Sequence, residues 1–358
     1  MHAFCTYQNA KRLPHEAFKP VVDPAGWDPD ELRDVDRWSY YLTNSDKEEI
    51  LAGVAAVRKA GIPVERVQKD NFPLKTMLPL IEHIRKELRD GRGVVRIRDF
   101  PLEHMSREEA VMGYLGLGAH IGSLEPQNSK GHLIGHVKNF RNSGTKDDTR
   151  GYQSYVESSF HVDSTDIVGL LCLHEAKRGG ESRLASSVTV YNRMLTERPD
   201  MIEPLMQDFY KTRYGEQTAG ETAYYKTPIF AFVDGWFSAL GYSTGFEAAQ
   251  GLPGVPPLTE AQKAARPVYL KIVEECSIDM PFRKGDFQLL NNNVTVHARR
   301  GFDDWPEFDR RRHLLRLWLN DDVMRPLPVD RLERRNRGLY LKHVPPSVPV
   351  EITEAVLG

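Results

Sequence analysis

The sequence predicts a mainly β fold with peripheral helices, of the jelly-roll (double-stranded β-helix) type. Many short apolar runs of strand length are separated by turn residues. Helical patterns are fewer and lie at the periphery of this arrangement. Short strands joined by turns, with helices only at the edges, are typical of a double-sheet jelly roll.

Composition limits the kinds of partner that the chain can have. A chain of 358 residues with 40% hydrophobic residues can bury a large core, as one large domain or two. Its formal net charge is −2, from 48 Lys and Arg against 50 Asp and Glu, with both signs interspersed. Because no basic face is visible, we expect no nucleic acid and no membrane as partner. A small-molecule substrate is expected instead, and a homo-oligomer stays open.

Cysteine usage and hydropathy indicate the compartment. The cysteines, Cys5, Cys172 and Cys276, are odd in number and unrelated in spacing, which excludes a disulfide framework and a cysteine metal site. Residues 1–20 contain no apolar core of signal-peptide length. No run approaches the ~18 apolar residues of a membrane span. We therefore expect a soluble, cytoplasmic protein.

Residues 1–90 are predicted to be an N-terminal arm followed by a helical extension. Trp27 and Trp38 are expected to pack the arm onto the body of the protein. A capping box that begins at Ser45 predicts the first helix, and Pro79 is expected to kink the second. The predicted helices cover residues 49–59 and 74–88.

Further elements follow from caps, turns and apolar runs. Capping boxes begin at Ser106 and Thr259, Ser187 is the expected N-cap of another helix, and Pro267 is expected to kink the last one. Asp234-Gly235 joins two aromatic runs and is a strong hairpin signal. The predicted helices cover residues 106–118, a short segment from 187, 199–210 and 259–276. The predicted strands cover residues 93–100, 166–174, 181–186, 229–233, 236–240, 286–290, 294–298 and 311–320, and loops are predicted at 139–150 and 215–227.

Two separate segments carry candidate metal ligands. In Phe160-His161-Val162-Asp163, residues two apart on a strand point to the same side, so His161 and Asp163 present an imidazole and a carboxylate to one point. His297 would complete a set of two histidines and one carboxylate, which suits non-haem Fe(II) and leaves coordination positions open. Two alternatives remain: a His-x-Asp pair often arises by chance, and His297 could be a core histidine bonded to a backbone carbonyl.

The flanking sequence narrows these alternatives. Four ordered motifs surround the candidate ligands: FHVDSTDIVGLLCLHEA at 160–176, Gly-Gly-Glu-Ser at 179–182, HARRGFD at 297–303 and RRHLLR at 311–316. Between residues 155 and 320 the chain thus resembles the taurine dioxygenase family of Fe(II)- and 2-oxoglutarate-dependent oxygenases, of which clavaminate synthase is a relative. The resemblance implies a jelly-roll fold with a long insert between the two halves of the motif set. We therefore expect a jelly-roll oxygenase domain at 91–325 with a helical and hairpin insert at about 187–284, followed by a charged and then Pro-rich tail at 326–358.

The same resemblance implies roles for several side chains. Fe(II) is the implied cofactor, with 2-oxoglutarate and molecular oxygen as co-substrates, and His161, Asp163 and His297 as metal ligands. Arg312 falls where the family binds the far carboxylate of 2-oxoglutarate, for which a rigid guanidinium suits better than an ammonium group. Ser182 matches a hydroxyl that helps to hold that carboxylate, although it could be a plain strand residue. Because Arg310 and Arg311 directly precede Arg312, either of them could take its role if the assignment is out of register.

Arg316 and Glu157 are the candidate substrate-binding residues. Arg316 shares a strand face with Arg312 and corresponds to the arginine that grips the substrate's carboxylate or sulfonate in the family. Glu157 lies where relatives place a polar contact and could receive an ammonium group. An acid at one end and an amine at the other predict an amino acid or a derivative, a substrate that fits secondary metabolism. Alternatively, Arg316 pairs with an internal acid such as Asp303, and Glu157 is an exposed loop carboxylate.

The reaction that the resemblance implies is hydroxylation of a C–H bond with release of succinate and carbon dioxide. Desaturation, ring closure and epoxidation stay open, as do sulfonate and betaine substrates. The retained carboxylate of Asp163 argues against a halogenase. Two other classes of protein stay open as alternatives: a non-catalytic jelly-roll protein that binds a small molecule, and a Zn hydrolase. The hydrolase would need a general base near the metal-bound water, and only Glu157 is available.

Overall fold

The computed structural model describes residues 12–139, 156–215, 217, 220–321, 324–331 and 344–352. The predicted loop at 139–150 lies almost wholly outside these ranges, and so does Cys5. Within them, no helix is long and apolar enough to cross a membrane.

Helices begin where side chains satisfy their free N–H groups. Ser106 and Thr259 form the predicted capping boxes, but the first long helix is capped by Thr43 with Asp46 and not by Ser45. Pro79 lies in the first turn of its helix, where a backbone N–H would have no partner within the helix. Its missing N–H therefore costs nothing there, and it does not kink the helix. The helices are α1 (Pro29–Leu32), α2 (Asn44–Lys59), α3 (Leu78–Asp90), α4 (Arg107–Ile121), α5 (Ser187–Glu197), α6 (Ile202–Met206), α7 (Thr244–Ala249) and α8 (Glu260–Glu275).

The strands of the described residues form two principal sheets and three two-stranded sheets. The strands are β1 (Ser39–Tyr41), β2 (Val94–Arg98), β3 (Ser123–Leu124), β4 (Ile134–Lys138), β5 (Ser158–His161), β6 (Ile167–His174), β7 (Arg178–Gly179), β8 (Ser182–Ser186), β9 (Phe209–Thr212), β10 (Tyr224–Thr227), β11 (Phe230–Val233), β12 (Trp236–Ala239), β13 (Ser277–Met280), β14 (Phe287–Asn291), β15 (Thr295–Arg299), β16 (Phe302–Asp303) and β17 (His313–Asn320). One principal sheet has the order β1-β2-β14-β6-β17-β3, with β4 also paired to β17, and the other has the order β13-β8-β15-β5.

A shared apolar core joins the two principal sheets. Val168, Leu290 and Leu314 of the seven-stranded sheet pack in one cluster with Leu184 and Ile278 of the four-stranded sheet. Apolar residues on the other face of the large sheet pack against α2, α3 and α4. The small sheet is covered on its other face by α5, α8 and the hairpins of the insert.

The N-terminal arm is part of this arrangement. Trp27 and Trp38 are buried in the core between the sheets, as predicted, and their indole N–H groups donate to the carbonyls of Arg92 and Leu32. β1 then adds to the large sheet, parallel to β2.

In and next to the insert, some predictions are confirmed and others are wrong. The N-cap of α5 is Ser186 and not the predicted Ser187, because the Ser186 side chain accepts from the Thr189 N–H. Asp234 and Gly235 both have positive φ, 48° and 75°, which is the conformation of the predicted tight turn between β11 and β12. The helix predicted over 199–210 is wrong beyond Met206, because Phe209–Thr212 pairs as β9 with β10. Part of the predicted 215–227 loop is that partner strand. Local pattern did not reveal this pairing, which depends on contacts between aromatic residues of the two strands.

The architecture is therefore a mixed helix-and-sheet fold with several sheets, and helices account for more of it than the mainly β prediction implied.

Candidate active site

Two neighbouring strands place the candidate histidines face to face. β5 and β15 run antiparallel, and His161 is the residue directly opposite His297. Their ring centroids are 4.3 Å apart and the rings are inclined by 49°. Residues opposite each other on paired strands project to the same face of the sheet, so both imidazoles point to one place.

Asp163 follows β5 and lies beside this pair. Its Oδ2 atom is 3.9 Å from Nε2 of His297. The turn between β14 and β15 helps to fix the segment, because the Asn292 side chain accepts from the Asp163 N–H at 3.4 Å and donates to the Thr165 carbonyl at 2.9 Å. The structure thus brings together the three residues that the sequence singled out as metal ligands.

The surroundings set the protonation states of the three side chains. Burial lowers the pKa of His161. Burial, and then the unfavourable interaction that a protonated His297 would have with a protonated His161, lower the pKa of His297 to about 3. Burial alone would raise the pKa of Asp163, but Arg316 and then the two histidines outweigh it, and the net direction is downward. Nδ1 of His161 lies 2.8 Å from the Ser159 carbonyl, a contact that requires the proton on Nδ1 and leaves Nε2 with its lone pair. Two neutral imidazoles and a carboxylate result.

These side chains do not form a finished coordination sphere. Among the residues described, no three His, Cys, Asp or Glu side chains are arranged so that they could hold a metal ion as they stand. Asp163 directs one oxygen, Oδ1, to Arg316, whose Nη1 is 3.3 Å away. Its other oxygen, Oδ2, and Nδ1 of His297 are buried without a hydrogen-bond partner in the described part of the chain.

This donor set fits Fe(II). Two neutral imidazoles and one carboxylate are the ligand types that this ion takes in oxygenases, and they lie on one side of a common space. A buried carboxylate oxygen without a donor is costly in a folded protein unless something cationic meets it.

Arg316 is held in place from several directions. On β17, its Nε donates to Gln127 Oε1 at 2.7 Å, and its guanidinium lies 5.1 Å from the centre of the Trp318 ring. Gly135, which is opposite Arg316 in the sheet, leaves the necessary room, since a Cβ there would lie 2.5 Å from Gln127 Oε1. The internal acid that Arg316 meets is therefore Asp163 and not Asp303, which pairs with Arg178.

Arg312 is buried at the start of β17, and the three consecutive arginines have different surroundings. Arg312 donates from Nη2 to the Gly180 carbonyl at 3.0 Å and lies over the Phe302 ring, at 5.4 Å. Burial lowers its pKa. Arg310 is exposed and pairs with Glu307, while Arg311 donates to backbone carbonyls. The described ion pairs give Arg312 no carboxylate partner.

Arg299 is a second buried cation, which the sequence analysis missed. It lies two residues after His297 on β15, opposite Ser182 of β8, and its guanidinium is 4.7 Å from the same Phe302 ring that Arg312 contacts. Burial, reinforced by the charge of Arg312, lowers its pKa to about 9, so it stays charged at neutral pH. The spacing His297-x-Arg299, with period two, was the available signal, because it places both side chains on one strand face.

Arg299, Arg312 and Ser182 together fit the far carboxylate of 2-oxoglutarate. Two buried guanidinium groups share one aromatic ring, and no described carboxylate forms an ion pair with either. Buried cations normally occur paired, so this pair favours an anionic ligand.

Glu157 lies elsewhere. Its carboxylate is half-exposed and pairs with Arg183 at 3.1 Å and with Arg300 at 3.6 Å. Arg183 in turn is bonded to Glu274 and lies over the Phe160 ring, on the face of the small sheet opposite to His161. The structure therefore does not bring Glu157 to the substrate side, and the alternative of an exposed loop carboxylate describes it better.

Comparison with known proteins extends these observations. The model of the family described as taurine catabolism dioxygenase TauD, TfdA family matches residues 58–318. The FR-33289 synthase of Streptomyces rubellomurinus (strain ATCC 31215) is 30% identical over 318 residues, which cover 87% of this chain and 93% of the synthase.

Two solved oxygenases have a similar fold. Asparagine oxygenase, solved with Fe(II), 2S,3S-3-hydroxyasparagine and succinate, has a TM-score of 0.61 and 17% identity over 79% of this chain and 94% of its own. The non-heme iron oxygenase OrfP, solved with Fe, succinate and (3S)-hydroxy-L-Arg, has a TM-score of 0.60 and 15% identity over the same shares, 79% and 94%. OrfP has also been solved with Fe and alpha-ketoglutaric acid.

Proposed function

Because the chain belongs to the taurine catabolism dioxygenase TauD, TfdA family, we propose that it hydroxylates a C–H bond of a small carboxylate-bearing substrate. As a member of this family it is a 2-oxoglutarate-dependent non-haem iron dioxygenase, with Fe(II), 2-oxoglutarate and oxygen as cofactor and co-substrates. The enzyme class predicted from the sequence is thereby confirmed. The non-catalytic binder and the Zn hydrolase are set aside.

In this proposal His161, Asp163 and His297 hold the iron. Support comes from their position on one side of β5 and β15, from the unprotonated state of the imidazoles, and from the partnerless Asp163 oxygen. When bound, Fe(II) with 2-oxoglutarate and oxygen supplies the oxidation of the substrate C–H bond, with release of succinate and carbon dioxide. To bind the ion, Asp163 has to divide its two oxygens between the metal and Arg316.

Arg312 is proposed to bind the far carboxylate of 2-oxoglutarate, with Arg299 and Ser182 beside it. The two guanidinium groups are held rigidly over Phe302, one by the Gly180 carbonyl and the other by that of Val156. Because the two cations are already held in place, little side-chain entropy is lost when they bind a carboxylate.

Arg316 is proposed to orient the substrate through its carboxylate. The observation that carries this proposal is the position of Arg316, anchored by Gln127 and in contact with Asp163. An acid bound to Arg316 would therefore lie next to the metal ligands, with its neighbouring C–H bonds close to them. The hydroxylated amino acids bound by asparagine oxygenase and OrfP suggest an amino acid or a derivative. Glu157 no longer supports the amine end of that assignment.

For the fold, we propose that the two principal sheets form the predicted double-stranded β-helix at 91–325, with residues 187–284 as an insert beside its mouth. Their common core and the similarity to solved oxygenases support this. Residues 1–90 are proposed to be an N-terminal extension and 326–358 a tail. A cytoplasmic location stays a prediction.

A screen of succinate release tests the proposed function. Purified protein with Fe(II), 2-oxoglutarate and oxygen would be offered amino acids, sulfonates, betaines and decarboxylated amines. We expect release to be stimulated by compounds with a carboxylate and not by the matching amines, and Arg316→Leu to abolish this preference. Equal stimulation by the amines, or an unchanged preference in the variant, would show that Arg316 does not bind the carboxylate of the substrate.

A further inference from the structure

Gln127 is a buried glutamine that lies in the chain between β3 and β4 and contacts Arg316 twice. Only 4% of its surface is exposed. Its Nε2 atom donates to the carbonyls of Leu133 at 3.0 Å and Arg316 at 2.8 Å, while its Oε1 atom accepts from Arg316 Nε at 2.7 Å. Because carbonyl oxygens only accept, the amide cannot be turned round, and its oxygen is fixed towards the guanidinium group.

The position opposite Arg316 in the sheet is kept small for this amide. Gly135 of β4 is the partner of Arg316 in β17, and a Cβ there would lie 2.5 Å from Gln127 Oε1 and 3.3 Å from its Cδ. Gly135 does not have a positive φ, so its backbone conformation does not call for glycine. The missing side chain therefore makes room for Gln127, and the contact between Gln127 and Arg316 depends on it.

This contact limits how Arg316 meets Asp163. A guanidinium group binds a carboxylate most strongly through two parallel N–H groups, at about 2.7–2.9 Å. Gln127 occupies Nε of Arg316, and the hydrogen bonds of the described residues give Arg316 and Asp163 a single shared contact, from Nη1 to Oδ1 at 3.3 Å. The ion pair is thus long and one-sided, and the other carboxylate oxygen is left over for a cation.

We propose that Gln127 is a positioning residue that holds Arg316 back from Asp163 and so keeps the carboxylate available to the metal. The inference rests on the proposed function and deepens it, because it explains how one cation and one acid in contact can serve substrate and metal separately. Without the Gln127 oxygen, Nε of Arg316 would be a largely buried donor without an acceptor, which is costly. The guanidinium group would then turn towards the carboxylate that it already touches and close on it with two bonds. A carboxylate bound in that way competes poorly for a metal ion.

The affinity for Zn(II) measures this effect without turnover. Metal-free protein would be titrated with Zn(II) in competition with a chromophoric chelator. Gln127→Leu removes the polar atoms of the side chain and nearly keeps its volume. We expect it to weaken Zn(II) binding about tenfold to a hundredfold, the range that one charge-assisted contact provides. Gly135→Ala should act in the same direction, because its methyl group displaces the Gln127 oxygen.

Removal of Arg316 distinguishes a positioning role from general damage. If Gln127 acts through the guanidinium group, Gln127→Leu combined with Arg316→Leu should bind Zn(II) as tightly as Arg316→Leu alone, because nothing is left to close on Asp163. Gln262→Leu is the matched control. Gln262 is also 4% exposed, and it accepts from one backbone N–H and donates to one backbone carbonyl, at 3.0 Å each. Its replacement should lower the melting temperature, as Gln127→Leu does, and leave the Kd for Zn(II) unchanged.

The outcomes separate this inference from the proposed function. If Gln127→Leu or Gly135→Ala binds Zn(II) as tightly as wild type, or if the double variant stays as weak as Gln127→Leu, the positioning role is wrong. Asp163→Ala checks the premise, since it should bind Zn(II) far more weakly than wild type. If wild type and Asp163→Ala bind Zn(II) equally, the failure lies in the proposed metal site instead.

Discussion

Gly180→Ala is expected to impair 2-oxoglutarate binding although it replaces none of the residues that are proposed to bind it. Gly180 has φ +80°, a conformation that L side chains rarely adopt, and its carbonyl accepts from Arg312 Nη2 at 3.0 Å. A Cβ built there would lie 2.9 Å from Arg312 Nε and 3.1 Å from its Cδ. Because Arg312 is fully packed, the added methyl group has to displace the guanidinium from its position over Phe302.

Two costs are involved, and they can be separated. An alanine in the left-handed region costs about 1–2 kcal/mol of folding free energy. Displacing a guanidinium from a carboxylate removes a charge-assisted contact of about 1.5–3 kcal/mol, which is about tenfold to a hundredfold in Kd. Gly61→Ala is the control, since Gly61 has φ +64° and nothing within 4 Å of a built Cβ. It carries the first cost and not the second.

Calorimetric titration of 2-oxoglutarate into zinc-loaded protein, with thermal melting alongside, measures both costs. Both variants should melt at a lower temperature, and Gly180→Ala alone should bind 2-oxoglutarate more weakly. An unchanged Kd in Gly180→Ala would refute the placement of the co-substrate carboxylate at Arg312.

Three further predictions concern buried cations and an acid-sensitive histidine. Arg312→Lys should weaken 2-oxoglutarate binding about tenfold or more, because lysine lacks the planar fork of the guanidinium group. Arg310→Lys, at an exposed position, should leave the Kd measured by calorimetry unchanged. If Arg310→Lys weakens binding and Arg312→Lys does not, the role belongs to a neighbour of Arg312. Arg299→Gln should also raise the Kd for 2-oxoglutarate, and an unchanged Kd would make this arginine purely structural. Burial lowers the pKa of His136 from 6.5 to about 4, so the unfolded chain takes up a proton at higher pH than the folded chain does. The stability that neutral His136 contributes, up to about 3 kcal/mol, is therefore lost as the pH falls through that interval. Because His297 is also buried with a lowered pKa, urea unfolding should show a loss of stability in both proteins, but a smaller one in His136→Asn than in wild type. An equal loss in both would contradict the prediction.

Local sequence signals predicted those elements that local interactions determine. The capping boxes at Ser106 and Thr259 and the Asp234-Gly235 turn were correct, because caps and tight turns depend on residues within one turn of each other. Ser45 was predicted as the N-cap of the first long helix instead of Thr43, because each of them lies three residues before an acidic residue. Only the extended backbone at Thr43 distinguishes the two. The β9–β10 pair was missed because pairing between strands is a tertiary property.

The predictions of site residues show the same difference between local and tertiary signals. The i, i+2 spacing of His161 and Asp163 identified two residues that the structure brings together with His297, whereas their roles stay predictions. Glu157 was chosen by its distance along the chain, and strict alternation would place it on the face of His161. It lies just before β5, however, beyond a shift of register between β5 and β15, and pairs with Arg183 instead.

Iron binding by wild-type protein and Asp163→Ala tests the central claim most directly. Under anaerobic conditions, wild type should bind one Fe(II) per chain and release succinate once oxygen and substrate are added. Asp163→Ala should keep its circular dichroism spectrum but lose the iron and the release, whereas Asp303→Ala, which removes an exposed carboxylate, should keep both. Full iron binding and full succinate release in Asp163→Ala would contradict the assignment of His161, Asp163 and His297 as the metal site.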